Sequence, residues 1–267
     1  MKIFINDNLF ESAKASIGVY DLGLNRGYAV FDYFRIVNNK FRFFEDHLSR
    51  FSRSIQLSKI PCSFTLDEIR SKIITLKELN KINNGYVRIT LTAGDSQDFV
   101  SPSSHSNLII LVGNSTTPES NTAKTGVNLI SKRFQRSIPE IKTTDYFFAQ
   151  MHRSEMLAAN AVDILYHDDI ITETSRSNIF FIKNDTLFTP KSNILEGITR
   201  KNILSLYEDA RIEDISINQL SEFDEAFICS STKEVTPVLK IDDITIGSGT
   251  VGQKTMEVAQ RFKAICM

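Results

Sequence analysis

A lysine and a glutamate in the middle of this 267-residue chain are the first residues whose surroundings suggest chemistry. Lys142 precedes a helix-like run, 147–160, and Glu173 lies downstream of that run. Alone, each side chain could be an ordinary surface charge, because Lys and Glu are mostly exposed. Two later segments extend this pattern. Residues 195–200 lead into a predicted helix, and residues 229–238 lead into a predicted strand. Backbone N–H groups and hydroxyls in such places can hold a phosphate.

Five short motifs in a fixed order extend this pattern over nearly the whole chain. They are His47-Leu48-Ser49-Arg50, Ile141-Lys142-Thr143-Thr144, Glu173 with Asn178-Ile179-Phe180, Gly197-Ile198-Thr199-Arg200 and Thr236-Pro237-Val238. Each motif alone is weakly specific, but in this order they resemble the fold-type IV pyridoxal-phosphate enzymes, the class IV aminotransferase family. That family includes branched-chain aminotransferases, D-amino-acid aminotransferases and aminodeoxychorismate lyases. The resemblance implies an α+β fold of two domains, with the cofactor pyridoxal 5'-phosphate lying between them.

Pyridoxal phosphate combines an aldehyde, a pyridine and a phosphate, and a protein must address all three. A partly desolvated lysine suits the aldehyde, because its amine can be neutral near physiological pH. The resemblance gives Lys142 this role and the later transfer of the Cα proton. A carboxylate held against the pyridine nitrogen favours its protonated form, and the resemblance gives that role to Glu173. Tyr146 could hydrogen-bond the hydroxyl of the ring.

The phosphate of the cofactor requires several donors and at least one cation. Arg50 matches the phosphate arginine of the family, and Arg53, one helical turn later, is a competitor. Backbone N–H groups at the start of the helix after Gly197 can point at an anion. The remaining phosphate candidates that the resemblance implies are Ile198, Thr199, Ser231 and Thr232.

A carboxylate on the substrate requires an arginine as well, and three candidates stay open: Arg26, Arg35 and Arg88. Arg88 lies in the middle of a predicted strand, where an unpaired charge is costly, and it resembles a residue of branched-chain aminotransferases. Arg35 ends a strand as the arginine of that group does. The stretch 26–32 departs from the acidic, glycine-rich pattern of many members, and Asp145 stands where asparagine is more usual. The identity of the substrate therefore stays open.

Composition and charge are those of an ordinary globular protein. The chain is 42% hydrophobic and 24% charged, and its formal net charge is -1, so it shows no basic patch for nucleic acid or membrane. Cys62, Cys229 and Cys266 are far apart, which favours reduced thiols over a disulfide framework. The beginning has no apolar signal segment, and no run is long enough to span a bilayer. A soluble, cytoplasmic protein is expected, and the histidine spacing predicts no metal site.

The pattern of helices and strands, which are mixed without regular β-α-β alternation, predicts the α+β class. Thr65 and Glu68 form a capping box for a helix that ends near Leu79, and Asp46 is expected to cap a helix over 47–58. Strands are predicted at 2–5, 8–11, 28–37, 41–44, 86–93, 107–112, 126–132, 161–166, 178–183, 186–189, 211–215, 225–229, 236–241 and 243–246, and a closing helix at 251–264. The predicted domains are 1–116, a small α+β domain, and 126–267, which carries most cofactor residues, with a linker at 117–125.

The resemblance implies an aminotransferase that moves an amino group between an amino acid, branched-chain-like by preference, and a 2-keto acid such as 2-oxoglutarate. It also implies a homodimer. Aminodeoxychorismate lyase, which releases pyruvate with the same cofactor residues, is the first alternative. A catalytically silent binding module on the same fold is the second, because a fold alone does not establish an activity.

Overall fold

The computed structural model describes residues 1–115 and 122–266, and the chain divides into two units. The first unit contains Met1–Pro118 together with Ile141–Asp145, and the second contains Glu119–Glu140 together with Tyr146–Met267. The predicted linker, 117–125, lies largely outside the described residues, so the boundaries drawn around it stay predictions. No helix in the described part of the chain is long and apolar enough to cross a membrane.

The first unit is built on a six-stranded antiparallel sheet with the order β2-β1-β6-β5-β3-β4. Its strands are β1 (Lys2–Ile5), β2 (Asn8–Glu11), β3 (Ala29–Val37), β4 (Lys40–Phe41), β5 (Gly85–Thr92) and β6 (Asn107–Asn114). Its helices are α1 (Leu22–Arg26), α2 (Phe44–Ser58) and α3 (Leu66–Leu79), with a 3-10 turn at Ser12–Lys14.

One face of this sheet forms the core of the first unit. Because side chains alternate between the two faces of a strand, Val30, Phe34 and Ile36 of β3 all point into the core, where Leu48 and Phe51 of α2 pack. Helix α3 begins with the capping box that the sequence predicts, since the Thr65 hydroxyl accepts the Glu68 N–H and the Glu68 carboxylate accepts the Thr65 N–H. That prediction is confirmed.

The start of helix α2 differs from the prediction. A strand over 41–44 and a cap at Asp46 were expected, but β4 ends at Phe41 and the helix begins at Phe44. Phe43 precedes it with a φ of 49°. The Phe44 ring packs 4.5 Å from that of Phe41, centre to centre, so aromatic packing turns the chain into the helix before Asp46. Asp46 instead lies in the first turn, where its charge favours the helix dipole.

The second unit contains a mixed nine-stranded sheet with the order β12-β11-β10-β13-β14-β7-β8-β9, with β15 beside β14. Its strands are β7 (Val127–Arg133), β8 (Ala161–Asp168), β9 (Ile170–Thr174), β10 (Asn178–Lys183), β11 (Thr186–Pro190), β12 (Arg211–Glu213), β13 (Glu225–Ser230), β14 (Glu234–Ile241) and β15 (Ile244–Thr245). Its helices are α4 (Thr122–Thr125), α5 (Phe147–Met151), α6 (Arg153–Ala158), α7 (Ile198–Leu204) and α8 (Gln253–Ile265), with a 3-10 helix at Ile217–Glu222.

Strand β10 is central to this sheet and is apolar on both faces, as a strand covered on both sides must be. The Phe180 ring stacks on Phe227 at 4.9 Å, while the neighbouring Phe181 stacks on Phe223 at 4.7 Å. Successive side chains point to opposite faces, so the two ring pairs lie on opposite sides of the sheet.

Two elements of the second unit differ from the prediction. The helix expected over 147–160 is two short helices that meet at His152. Of its apolar residues, Met156 is buried, whereas Phe147 is 78% and Leu157 is 65% exposed. Periodicity alone does not show which face of a helix meets the core. No strand was predicted between 166 and 178, but Glu173 lies inside β9 and is 4% exposed. The run that precedes Glu173 in β9 is too short to signal a strand by its pattern.

We expect the Cys229 thiol to be inert in the native protein. It is 1% exposed, and burial raises its pKa to about 12, so the reactive thiolate is scarce at neutral pH. Peptide mapping after iodoacetamide treatment at pH 8 should find Cys229 unmodified in the native chain and modified in urea. Rapid labelling of the native protein at Cys229 would contradict this burial.

Candidate active site

Lys142 belongs to the first unit, where its backbone is held on two sides. Its carbonyl accepts the Phe31 N–H at 2.9 Å, and the next residue, Thr143, forms a bridge with Val30 of β3. The Lys142 N–H donates to the Ser54 hydroxyl of α2 at 3.4 Å. The amine lies 4.7 Å from the centre of the Phe31 ring. The segment therefore behaves as a short extra strand beside β3 that fixes the position of the lysine.

Arg50 is oriented by a buried carboxylate that the sequence analysis did not single out. Asp32 is 0% exposed and accepts hydrogen bonds from Nε and Nη2 of Arg50, both at 2.9 Å. His47 Nδ1 lies 2.7 Å from the same carboxylate. Burial raises the pKa of Asp32, but Arg50 and His47 outweigh it and hold this pKa well below its usual range. Arg53, the predicted competitor, is exposed on α2.

The face of the first sheet that points away from the core carries two of the three candidate substrate arginines. Arg88 stands opposite Tyr33 in the β3–β5 ladder, and residues opposite each other share a face. The Arg88 guanidinium lies 4.3 Å from the centre of the Phe31 ring, which the Lys142 amine also contacts. Arg35 lies further along β3 on this face, whereas Arg26 is exposed on α1 and donates to the Phe99 carbonyl. The structure thus brings Arg88 close to Lys142 and leaves Arg26 apart.

Glu173 belongs to the second unit, and its carboxylate is engaged at both oxygens. Oε2 accepts the Leu195 N–H at 3.0 Å, and Oε1 lies 3.3 Å from Nη1 of Arg136. Arg136 is itself fixed by the carbonyls of Ile138 and Pro139. A carboxylate buried against a guanidinium and a backbone donor is stabilised in its ionised form.

The loop before helix α7 is held by Asn178 as well as by Glu173. The Asn178 amide donates to the Leu195 carbonyl at 2.8 Å. A side chain at Gly197 would place its Cβ 2.0 Å from the Asn178 oxygen, so any other residue there would displace the Asn178 amide. Gly197 is the N-cap and offers no capping side chain, and the first turn of α7, with Ile198 and Thr199, is buried. The first N–H groups of a helix have no partner within it, which leaves a donor set suited to an anion.

Arg200, which follows in the same motif, has a structural role. Its Nε donates to the Thr189 hydroxyl at 3.1 Å, and its Nη2 donates to the Pro190 carbonyl at 3.0 Å. These bonds fix α7 to the end of β11.

Ser231 and Thr232 lie in the turn between β13 and β14. Asn178 at the start of β10 pairs with Cys229 near the end of β13, so this turn lies at the same end of the sheet as Asn178. The second unit therefore places four predicted phosphate residues at the end of the sheet where Asn178 lies. They are Ile198, Thr199, Ser231 and Thr232.

Tyr146, which precedes α5, lies near the buried Tyr166. The pKa of Tyr166 is raised by burial and, to a smaller extent, by Asp163, Glu173 and Tyr146.

Sequence reasoning missed the partners of the predicted residues. Asp32 carries a signal, because a charge on the core side of an alternating strand must find an opposite charge. Asn178 stands in one of the quoted motifs, although its bond to the Leu195 carbonyl could not be predicted from that motif. Arg136 carries no signal, since only the fold brings it near Glu173. The two residues stand 37 positions apart.

We expect Asp32→Asn to destabilise the protein by about 3–5 kcal/mol, because it leaves the Arg50 guanidinium without its buried counter-charge. The pKa of Asp32 is lower in the folded than in the unfolded state. The stability that Asp32 contributes is therefore present above pH 3.8, its ordinary pKa, and is lost as pH falls from there through the folded pKa. Urea unfolding should show that the free energy of unfolding falls less on acidification for the variant than for the wild type. Asp67→Asn is the control, since the Asp67 side chain is 93% exposed. Equal stability of D32N and D67N would contradict the role of Asp32.

Known proteins resemble this chain over most of its length. The family model of amino-transferase class IV matches residues 29–241. D-alanine aminotransferase of Staphylococcus haemolyticus is 29% identical over 276 residues, 98% of this chain and 96% of that protein. D-alanine aminotransferase of Bacillus licheniformis is 30% identical over 272 residues, 97% of this chain and 94% of that protein.

Solved structures with the same fold include branched-chain aminotransferases. The Escherichia coli enzyme superposes with a TM-score of 0.91 at 23% identity, covering 100% of this chain and 94% of the other. The enzyme of Thermoproteus uzoniensis with norvaline gives 0.87 at 23% identity, covering 100% and 94%. A further branched-chain aminotransferase, solved with pyridoxamine 5'-phosphate, gives 0.90 at 22% identity, covering 99% and 94%. At this level of identity the likeness concerns the fold, and it confirms the predicted fold-type IV α+β architecture.

Proposed function

Because the chain belongs to the amino-transferase class IV family, we propose that it transfers an amino group between an α-amino acid and a 2-keto acid. Enzymes of this family use pyridoxal phosphate. The position of Lys142 supports this proposal most directly. Its backbone is fixed by β3 and α2, and its amine lies beside the Phe31 ring. Membership of an enzyme family favours catalysis over the alternative of a silent binding module.

The residues present fit the chemical groups of the cofactor. Glu173 is a buried carboxylate kept ionised by Arg136 and a backbone donor, which suits a protonated pyridine nitrogen. The uncapped start of α7 and the hydroxyls of Ser231 and Thr232 suit a phosphate. Arg50 supplies a cation that Asp32 holds in one orientation through Nε and Nη2.

The bound cofactor supplies an aldehyde that joins a primary amine and a ring that accepts the electron pair from Cα. In this proposal the Lys142 amine would hold the cofactor through its aldehyde, and the same amine would move the proton at Cα of the substrate. Glu173 holds the proton on the pyridine nitrogen. Arg50 and the start of α7 would bind the phosphate, and these residues would hold the cofactor independently of Lys142.

We expect Lys142→Ala to abolish amino transfer, because no other residue in this proposal supplies the covalent anchor and the proton carrier together. The variant should fold normally, with an unchanged far-UV circular dichroism spectrum, but without the visible absorption that a lysine-bound cofactor gives. Lys40→Ala, at an exposed position of β4, is the control and should keep both activity and colour. Turnover by K142A at the wild-type rate would overturn the assignment.

Among the three candidate arginines, Arg88 is the one that we propose binds the substrate carboxylate. It shares the Phe31 ring with the Lys142 amine, at 4.3 Å and 4.7 Å respectively. A substrate joined at that amine would therefore lie close to Arg88. Arg35 stands two residue pairs further along β3, opposite Tyr86, and Arg26 donates to the Phe99 carbonyl.

We expect Arg88→Gln to lower kcat/KM for the amino acid roughly 10- to 100-fold, as the loss of a charged hydrogen bond predicts. Most of the effect should appear in KM, because the carboxylate is held equally before and during proton transfer. R26Q and R35Q should have smaller effects, and R211Q, at an exposed residue of the edge strand β12, should have none. A larger loss in R35Q or R26Q than in R88Q would assign the carboxylate to that residue instead.

The finer choice of substrate rests on the relatives. Those with 27% to 30% identity are D-alanine aminotransferases that match over nearly the full chain, so D-alanine with 2-oxoglutarate is the first pair to test. Branched-chain amino acids, expected from the sequence, are the alternative. Absorption spectra recorded with L- and D-amino acids separate the two, and an assay of pyruvate release from aminodeoxychorismate tests the lyase alternative. The homodimer and the cytoplasmic location stay predictions.

A further inference from the structure

A third buried ion pair, apart from those of Asp32 and Glu173, lies in the second unit. Asp163 of β8 is 0% exposed, and its carboxylate accepts hydrogen bonds from the Lys233 ammonium and the Ser175 hydroxyl. Nε of Arg176 lies 3.9 Å from the same carboxylate. Burial raises the pKa of Asp163, but the charges of Lys233 and Arg176 outweigh it and keep this pKa below its usual range. The carboxylate thus stays ionised and requires its lysine.

Lys233 belongs to the turn that carries Ser231 and Thr232. Its N–H donates to the Ser230 hydroxyl at 3.3 Å, and its carbonyl accepts the Thr236 hydroxyl at 3.0 Å. The next residue, Glu234, has a φ of 53°, a left-handed conformation that a residue with a side chain adopts at a cost. Local preference therefore does not determine the shape of this turn, and contacts from elsewhere in the fold must hold it.

The same lysine reaches the turn that follows Glu173. Its ammonium donates to the Ser177 hydroxyl at 3.2 Å. Ser175, which donates to Asp163, also has its N–H bound to the Ile164 carbonyl of β8 at 3.0 Å. One ammonium consequently joins the turn between β13 and β14 to the turn that ends β9, the strand of Glu173.

We propose that the Asp163–Lys233 ion pair positions the hydroxyls of Ser231 and Thr232 for the phosphate of the cofactor, at a fixed distance from Glu173. This role rests on the proposed function. Lys233 is a positioning residue, because its ammonium is bound to Asp163 and Ser177 and acts through the turn. By joining the turn of Ser231 and Thr232 to the turn that follows Glu173, the pair would set the distance between the residues proposed for the phosphate and the residue proposed for the pyridine nitrogen.

Lys233→Gln tests this role when two ligands that differ only in the phosphate are compared. Pyridoxal 5'-phosphate and pyridoxal are titrated against the full-length protein, and their dissociation constants are measured by absorbance. We expect K233Q to bind pyridoxal 5'-phosphate about tenfold more weakly and pyridoxal with unchanged affinity, because coupling through one buried contact is typically of this size and should reach only the phosphate. If Lys233 had a merely structural role, its substitution would weaken the binding of both ligands alike.

Lys183→Gln is the matched control, since Lys183 is a lysine with a 40% exposed side chain that pairs with Glu222 at 2.8 Å in the same unit. It should leave both affinities unchanged. Lys233→Arg, which keeps a cation for Asp163, should retain most of the preference for the phosphate. If K233Q does not fold, the double variant D163N/K233Q replaces both charges with amides, and it should fold with the reduced preference.

The outcomes separate the two proposals. A wild-type protein that binds neither ligand overturns the proposed function and the role of Lys233 with it. A wild type that prefers pyridoxal 5'-phosphate, together with K233Q or D163N/K233Q that prefers it equally, overturns the role of Lys233 alone. A loss of affinity for pyridoxal as large as that for pyridoxal 5'-phosphate also overturns it.

Discussion

A buried carboxylate is costly unless a cation or a set of hydrogen-bond donors reaches it, and in both units a cation meets this requirement at residues that matter for the proposed site. Asp32, Asp163 and Glu173 are 0%, 0% and 4% exposed. Each would destabilise the fold by several kcal/mol without its partner. The partners are Arg50, Lys233 and Arg136, which come from other elements of the same unit. Pairing these charges therefore fixes the elements that carry the proposed cofactor residues.

The three pairs also explain why the motifs could be found in the sequence and their supports could not. The members of each pair are 18, 70 and 37 positions apart. A motif is local and keeps its spacing, so Lys142 and Glu173 stand out by pattern. A supporting charge has no fixed offset, because its position depends on which strands become neighbours. Asp32 is the exception, since alternation alone places it on the core side of β3.

Local sequence patterns predicted helices and strands well where nearby residues alone determine where the element begins and ends. The capping box at Thr65 began helix α3 as expected, and both ends of β3 and of β5 lie within one residue of the predicted ranges. The predictions were wrong where tertiary contacts decide, as at Phe44, where aromatic packing begins α2 early. Tertiary contacts also determine the position of Arg88, because the pairing of β3 with β5 places it beside Phe31. No pattern within either strand contains that register.

The short segment Ile141–Asp145 has a consequence for how the protein is made. It completes the first unit, where Ile141 is 3% exposed in the core, yet the ribosome produces it after Glu119–Glu140 of the second. Domains tend to fold in the order of their synthesis. Here the first unit can be completed only after residues 119–140 of the second have been made, since Thr143, the bridge partner of Val30 in β3, follows them in the chain. The lysine of the site is thus among the last residues to join the unit that holds it.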